Sequence, residues 1–257
     1  MNGRVAVVTG ASRGLGRHVA LELASAGMQL VLTARSGMEL EEVAAACRRE
    51  QPDPAQPDPA QPDPAQPGAS RPDPVRVQPA DIRDAGAIEE VMQSAVRAFG
   101  RLDVLINNAG LSWIKPLSEW SRDEIDTVLD VNLKGAIHAA RAAADIMIGQ
   151  KSGHIVNVAS DVGRRAIPDM APYVAAKHGL VGFSGSHLRE LRPHGVRVTL
   201  LLPGIIDTYF AGAEEGDRDP AWSMDAREVA RVIRHALEQP PRMVLDEIQL
   251  HPAGQEY

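Results

Sequence analysis

Tyr173 and Lys177 stand four residues apart in Ala171-Pro-Tyr-Val-Ala-Ala-Lys177, and Ser160 lies thirteen residues before the tyrosine. The stretch reads as helix. Four residues are about one helical turn, so phenol and ammonium project from one face and can share a ligand. A free tyrosine loses its proton near pH 10, and an adjacent cation lowers that value by favouring the phenolate. The triple suggests a proton donor, its activator and a clamp for a carbonyl oxygen. Tyr-x3-Lys also occurs on ordinary amphipathic helix surface, so its meaning depends on what accompanies it.

The first companion is at the amino terminus. Arg4-Val-Ala-Val-Val-Thr-Gly10 is an apolar run followed by Ala11-Ser12-Arg13-Gly14-Leu15-Gly16 and an amphipathic segment, which predicts strand, glycine turn and helix. Glycines are needed where a backbone turns sharply, approaches a pyrophosphate or lets a helix pack on a strand; the helix start adds unpaired N–H groups and positive dipole. The turn reads as a dinucleotide site, although Gly10-x3-Gly14-x-Gly16 is not the commoner Gly-x-Gly-x-x-Gly. The second predicted strand ends in Arg35 with no acidic residue at its tip. An acid there would hold a free ribose 2′-hydroxyl and repel a 2′-phosphate, whereas Arg35 and Arg13 would pair with that phosphate. NADP(H) is therefore expected to be preferred and NAD(H) remains possible; the alternative is that both arginines are solvated surface residues.

The sequence resembles the short-chain dehydrogenase/reductase family along nearly its whole length. Carrying the resemblance are Thr9-Gly-Ala-Ser-Arg-Gly-Leu-Gly16, Asn107-Asn-Ala-Gly110, Asn132 in Val131-Asn-Leu-Lys-Gly135, Ser160 in Asn157-Val-Ala-Ser160, Tyr173-x3-Lys177, and Pro203-Gly204 followed by Thr208. The resemblance implies that Tyr173 is the general acid/base and that Lys177 lowers its pKa and holds the nicotinamide ribose. It further implies that Ser160 bonds the substrate oxygen and that Asn132 anchors a water in a proton relay. Also by resemblance, Gly10, Ser12, Arg13, Gly14, Leu15 and Gly16 meet the cofactor, as do Arg35, Asp81 and Ile82 on the adenosine side. Asn108, Ala109, Gly110, Pro203, Gly204, Ile206 and Thr208 complete that set, with Asp81 at the family's adenine-contacting position.

Apolar runs alternate with amphipathic segments, the signature of a parallel sheet with crossover helices. Strands are predicted near 4–10, 29–35, 75–81, 102–108, 154–160, 196–202 and 243–250, and helices near 14–26, 38–50, 84–99, 118–147, 172–192 and 226–238. The expected fold is one α/β domain over 1–257, a Rossmann-type doubly wound, seven-stranded parallel sheet flanked by helices on both faces. Ligands on such sheets bind at the carboxyl ends of strands, where Gly10, Arg35, Asp81, Asn108, Ser160 and Pro203 all fall.

Residues 51–74 depart from this pattern. Gln-Pro-Asp-Pro-Ala occurs three times from Gln51 to Ala65 and then decays. Proline at such density forbids helix, so the insertion is expected to be extended polyproline-II or disordered and irrelevant to catalysis, with a docking ligand or interface spacer as the alternative. A charged, glycine-bearing stretch within about 205–224 reads as a substrate lid or as a solvated loop. The substrate pocket is expected between 111–116, 161–170 and 205–224, with Trp113, Ile114, Ile167, Met170, Tyr209, Phe210, Trp222 and Met224 divided between cavity and core. That suggests a moderately hydrophobic ketone, aldehyde or secondary alcohol, or an acyl-thioester ketone.

The chain's 257 residues, 44% hydrophobic, suffice for a large core. A net charge of −7 without a long basic run speaks against nucleic acid, and the single Cys47 excludes an intrachain disulfide and a thiolate cluster. The eight histidines show no metal spacing, and His178, His187 and His194 read as polar helix or turn residues. The glycine turn starts within ten residues of Met1 and no apolar run nears a membrane span, so a cytoplasmic protein is expected. Family habit implies a homodimer or homotetramer through the helices near 118–147 and 172–192. A rival reading is a non-catalytic NADP(H)-binding regulator or scaffold; the intact set Asn132, Ser160, Tyr173 and Lys177 opposes it.

Overall fold

The computed structural model describes residues 1–52 and 73–255. Seven parallel strands form one sheet: β1 (Val5–Thr9), β2 (Gln29–Thr33), β3 (Val75–Val77), β4 (Val104–Asn107), β5 (Gly153–Val158), β6 (Val196–Pro203) and, after a short pair, β9 (Glu247–Leu250). Their spatial order is β3-β2-β1-β4-β5-β6-β9. The order reverses between β1 and β4, and the crevice at that switch is where such sheets hold ligands. β1 and β5 are buried at every position. Helices cover both faces, so neither needs polar alternation and β1 reads as an unbroken apolar run. β5 interrupts its run with His154 and Asn157, whose buried side chains meet Thr199 Oγ1 and, for the asparagine, Asn107 and Ser184.

One layer consists of α1 (Gly14–Ser25), α2 (Gly37–Glu50) and α7 (Ala226–Glu238), whose Val19, Leu23, Val43, Val229 and Ile233 pack with Ala6, Leu30 and Leu32. On the other face lie α3 (Ala85–Phe99), α5 (Gly135–Gln150) and α6 (Ala171–Leu191), which pack Ile88, Val91, Ala139, Met147 and Leu188 against Val5, Val7 and Ile155. Each layer buries the opposite side chains of the same strands, as a period of two requires. α6 carries His187 inward rather than on a polar surface; its ring stacks on Phe183 with centroids 5.0 Å apart.

Three differences from the sequence reading bear on function. The single helix expected over 118–147 is α4 (Arg122–Leu129), a π-helical turn at Asp130–Lys134, and α5. The Asn132 amide donates to the Val128 carbonyl at 2.9 Å and to Leu111 O at 2.7 Å. An asparagine taking its own i−4 carbonyl competes with the helix ladder, which accounts for the widened turn. Second, β7 (Ile206–Asp207) and β8 (Met224–Asp225) pair in parallel and close the base of the 205–224 segment. Third, several strands end two to four residues before their predicted limits, β3 most of all.

Residues 53–72 of the proline-rich insertion lie outside the described residues. Its flanks are tied down: Gln51 Nε2 donates to Met28 O at 2.8 Å, and Arg48 Nε donates to Asp73 Oδ1 at 3.0 Å. Leu30 N bonds Pro74 O, so both flanks sit at the edge of the sheet where the strands begin. No helix among the described residues is long and apolar enough to cross a membrane.

Candidate active site

At the opposite edge, where the strands end, lies a cleft of about 840 Å³. All the sequence-predicted site residues line it except Gly16 and Asn132, which sit directly behind its wall.

The glycine turn forms the floor. Gly10 and Gly14 have φ of +65° and +52°, in the left-handed region that disfavours a side chain. A Cβ on Gly16 would stand 2.1 Å from the Gly10 carbonyl oxygen and 2.6 Å from Asn108 Nδ2. Asn108 thus has a bracing role that its motif did not reveal: its amide donates to Thr9 O at 3.1 Å and Gly10 O at 3.3 Å. Gly16→Ala is expected to cost about 3 kcal/mol or more by overpacking against backbone, lowering the melting temperature by roughly 6–12 °C. Gly149→Ala, with nothing within 4 Å of the new methyl, is the control and should be neutral or stabilising in a thermal melt.

Helices α2, α3, α4 and α7 each begin with a side-chain cap, from Ser36, Asp84, Ser121 and Asp225. α1 begins at Arg13 with none. Its first N–H groups face the cleft without a side-chain acceptor, as an anion-binding helix start requires. Arg13 and Arg35 are both exposed at the cleft and, among the described residues, neither forms a salt bridge, although the Arg35 charge contributes to lowering the Asp81 pKa. The Arg13 guanidinium lies 5.9 Å from the centroid of the Tyr209 ring. Asp81 is committed differently: Arg83 grips its carboxylate at 2.6 and 3.0 Å and, as the main cause, holds it below the usual carboxylate range.

The chemical end is built by β4, β5 and α6. Ser160 follows β5, Tyr173 and Lys177 occupy the first two turns of α6, and Asn132 reaches in from the π turn. Tyr173 is buried and shares a hydrogen bond with Ser160; its ring packs on Phe210 with centroids 5.2 Å apart. Lys177 is also buried, donates to Val158 O at 3.0 Å, and keeps its ammonium 5.4 Å from the tyrosine ring centroid. Behind Gly110, Asn132 Oδ1 is buried with no hydrogen-bond partner among the described residues. A Cβ on Gly110 would come within 2.8 Å of that oxygen and 3.8 Å of the lysine nitrogen. The orphan acceptor beside a lysine suits a bound water.

Burial pushes the Tyr173 phenol up, with the Ser160 bond opposing and the Asp161 charge reinforcing. Burial also drives the lysine down to about 7, so the cation meant to activate the phenol is itself costly to maintain. Spacing alone could not show this, because desolvation depends on what the fold packs around the pair.

Of the apolar residues expected in the substrate pocket, Trp113, Ile114, Ile167, Met170, Tyr209 and Phe210 line the cleft, whereas Trp222 and Met224 do not. Met224 is buried in the core and Trp222 is 46% exposed. Asp161, Arg165 and Arg218, which fall within the predicted pocket segments 161–170 and 205–224 without being singled out there, also line the cleft. Sequence reasoning passed over His18, whose Nε2 meets Glu215 Oε1 at 2.7 Å and ties α1 to the 205–224 segment.

Comparison with known proteins decides the family. The family model described as short chain dehydrogenase matches residues 4–66 and 58–219, in two pieces that meet within the proline-rich insertion. This chain belongs to the short-chain dehydrogenase family. The short-chain dehydrogenase described here is 30% identical over 250 residues to an uncharacterised oxidoreductase of Staphylococcus epidermidis, with 97% of each chain covered. An uncharacterised oxidoreductase of Staphylococcus aureus is 31% identical over the same length and coverage. Among solved structures, an alcohol dehydrogenase from the archaeon Thermococcus sibiricus complexed with 5-hydroxy-NADP superposes with a TM-score of 0.85. It shares 31% identity over 99% of this chain and 98% of that one. A metagenomic short-chain oxidoreductase in complex with NADP gives 0.78 and 32%, with 98% of both covered. The molecule is thus an oxidoreductase of this family with a Rossmann-type fold.

Proposed function

We propose that this short-chain dehydrogenase is an NADP(H)-dependent enzyme interconverting a carbonyl and a secondary alcohol, with Tyr173 as general acid/base. The observation that carries the reading is the meeting of Ser160, Tyr173 and Lys177 at the carboxyl edge of the sheet, in one cleft with an uncapped helix start and two arginines that form no salt bridge among the described residues. The NADP and 5-hydroxy-NADP complexes of the two structural relatives support the cofactor.

The residues present fit that cofactor. Gly10, Ser12, Gly14, Leu15 and Gly16 would hold its pyrophosphate, Arg13 and Arg35 its 2′-phosphate, and Asp81 and Ile82 its adenine. Asn108, Ala109, Gly110, Pro203, Gly204, Ile206 and Thr208 would flank the remainder, with Lys177 at the nicotinamide ribose. When bound, the nicotinamide donates or accepts the hydride. Tyr173 gives its phenolic proton to the developing alkoxide in reduction and takes the alcohol proton in oxidation. Ser160 fixes the reacting oxygen beside the phenol, and the Asn132 acceptor and Lys177 amine provide the route by which the phenol regains or releases its proton. The apolar wall of Trp113, Ile114, Ile167 and Phe210 excludes water and suits a moderately hydrophobic substrate. Residues 205–224 act as the lid, and the protein works as a homo-oligomer.

The test is a panel of ketones, β-keto esters and aldehydes with NADPH, and of the matching alcohols with NADP⁺, followed at the absorbance of the reduced nicotinamide. Turnover that vanishes in Tyr173→Phe supports the reading. A protein that binds NADPH and turns over nothing returns it to the scaffold alternative. Because the flanks of the insertion are anchored at the far edge of the sheet, replacing residues 53–72 by a short Gly-Ser linker should keep kcat within about twofold. A collapse of turnover in a linker variant with an unchanged melting temperature would assign the insertion a catalytic part.

A further inference from the structure

Asp161, next to the active-site serine, is a buried carboxylate with only 4% of its surface exposed. Its two oxygens are used differently. Oδ2 receives Arg165 Nε at 3.0 Å and its terminal nitrogen at 2.6 Å, and the Gln255 amide at 2.9 Å. His251 Nε2 stands 3.5 Å from the same oxygen. Oδ1 accepts the Ser160 hydroxyl at 3.0 Å. Three neighbours therefore hold one side of the carboxylate while the other faces the serine.

A hydroxyl has one proton to give. In Ser160 the nearest acceptor is Asp161, since the other, Pro203 O, is 3.5 Å away. The serine oxygen also accepts from Val162 N at 3.4 Å and bonds the Tyr173 hydroxyl. Toward the cleft it therefore presents lone pairs. That suits the O–H of an alcohol or of the tyrosine; a carbonyl oxygen can be clamped only when the serine proton swings off Asp161.

The support for Asp161 comes from the far end of the chain. Gln255 accepts from Ile205 N at 3.1 Å while donating to Asp161, and is itself buried. A Cβ on Gly204 would meet Gln255 Oε1 at 2.3 Å and His251 Cδ2 at 2.8 Å, and one on Gly254 would meet Ala221 O at 2.4 Å. The segment from His251 to Gln255 is packed between the serine loop and both arms of the 205–224 segment.

We propose that Asp161 is a positioning residue for the reaction: its carboxylate sets the direction of the Ser160 hydroxyl, and the carboxyl-terminal segment, through Gln255, holds that carboxylate in place. This rests on the functional reading above. It also makes the segment His251–Gln255 part of the active-site machinery, joined to the lid through Ile205. A charge so placed opposes the formation of phenolate on Tyr173, which Ser160 links to it, with Lys177 on the other side of the ring and Arg165 and His251 behind the carboxylate.

The experiment is the pH dependence of NADP⁺-linked oxidation of the best panel alcohol, in wild type and Asp161→Asn. Oxidation needs the phenolate, so activity falls as pH drops through the phenol's pKa. Removing the negative charge lowers that pKa, so the acid limb of kcat should move to lower pH by about one unit. A role confined to packing would reduce kcat without moving the limb, and superimposable limbs overturn the proposal. NADPH binding, read by fluorescence, and a thermal melt establish that the variant is folded. If it is not, Gln255→Leu carries the test: a kcat lowered several-fold with an unchanged NADPH dissociation constant supports the proposal, and a wild-type kcat overturns it. Wild type inactive on every alcohol and carbonyl overturns the functional reading and this inference with it. Loss of activity in Tyr173→Phe with no limb shift in Asp161→Asn overturns the inference alone.

Discussion

Tyr173→Phe is expected to give a folded protein that binds NADPH as the wild type does and turns over its substrate about 10²–10⁴-fold more slowly. The size of the loss follows from what the substitution removes. The ring stays packed in the cluster of Trp120, Val128, Val162 and Met170 and against Phe210, so no cavity forms. Ser160 retains its bonds to Asp161 and Val162, so no buried hydroxyl is stranded. Only the transferable proton is lost. A melting temperature within a degree or two of wild type, measured beside the kinetic loss, would separate chemistry from folding. Retention of more than about a tenth of the wild-type kcat would remove Tyr173 from the role of acid.

The second large effect concerns the cofactor. Arg13→Ala/Arg35→Ala is expected to raise the NADPH dissociation constant by about 10²–10³-fold while moving that for NADH by no more than about threefold. Each charge-assisted bond to a phosphate is worth about 1.5–3 kcal/mol, and 1.4 kcal/mol is a factor of ten. The two cations approach one group, so their effects should add incompletely. Both are exposed and form no salt bridge among the described residues, so their removal costs the fold little. Fluorescence titration with the two nucleotides measures the ratio. Equal weakening toward both would show that the arginines serve the shared pyrophosphate or the lid, since Arg13 also faces Tyr209.

The sheet was legible because its inner strands, β1 and β4 above all, are covered on both faces and continuously apolar or nearly so, and because the chain at or just beyond the ends of β1 to β6 carries residues whose types announce a ligand. Gly10, Arg35, Asp81, Asn108 and Ser160 follow five different strands and Pro203 closes a sixth, and only a parallel sheet brings those ends to one edge. What stayed hidden was tertiary. The π turn at Asn132 depends on a bond to Leu111 O, 21 residues away, and the grip on Asp161 on a glutamine 94 residues away. No local pattern records either. The pair β7–β8 has two residues per strand, too short for any alternation to be seen. Tyr173 and Lys177 were found by spacing, but their titration follows burial, which spacing does not encode.

The anchored flanks of the 51–74 insertion bear on how this gene can change. Arg48 meets Asp73, so the chain leaves and re-enters the domain at neighbouring points. For a loop whose ends are already together, each doubling of length adds only about 0.6 kcal/mol of closure entropy. Duplication of a five-residue unit is therefore close to neutral at this locus, whereas a single methyl on Gly16 is not. By the same arithmetic, a tag, a surface tether or a second domain spliced between those flanks is expected to cost the fold little.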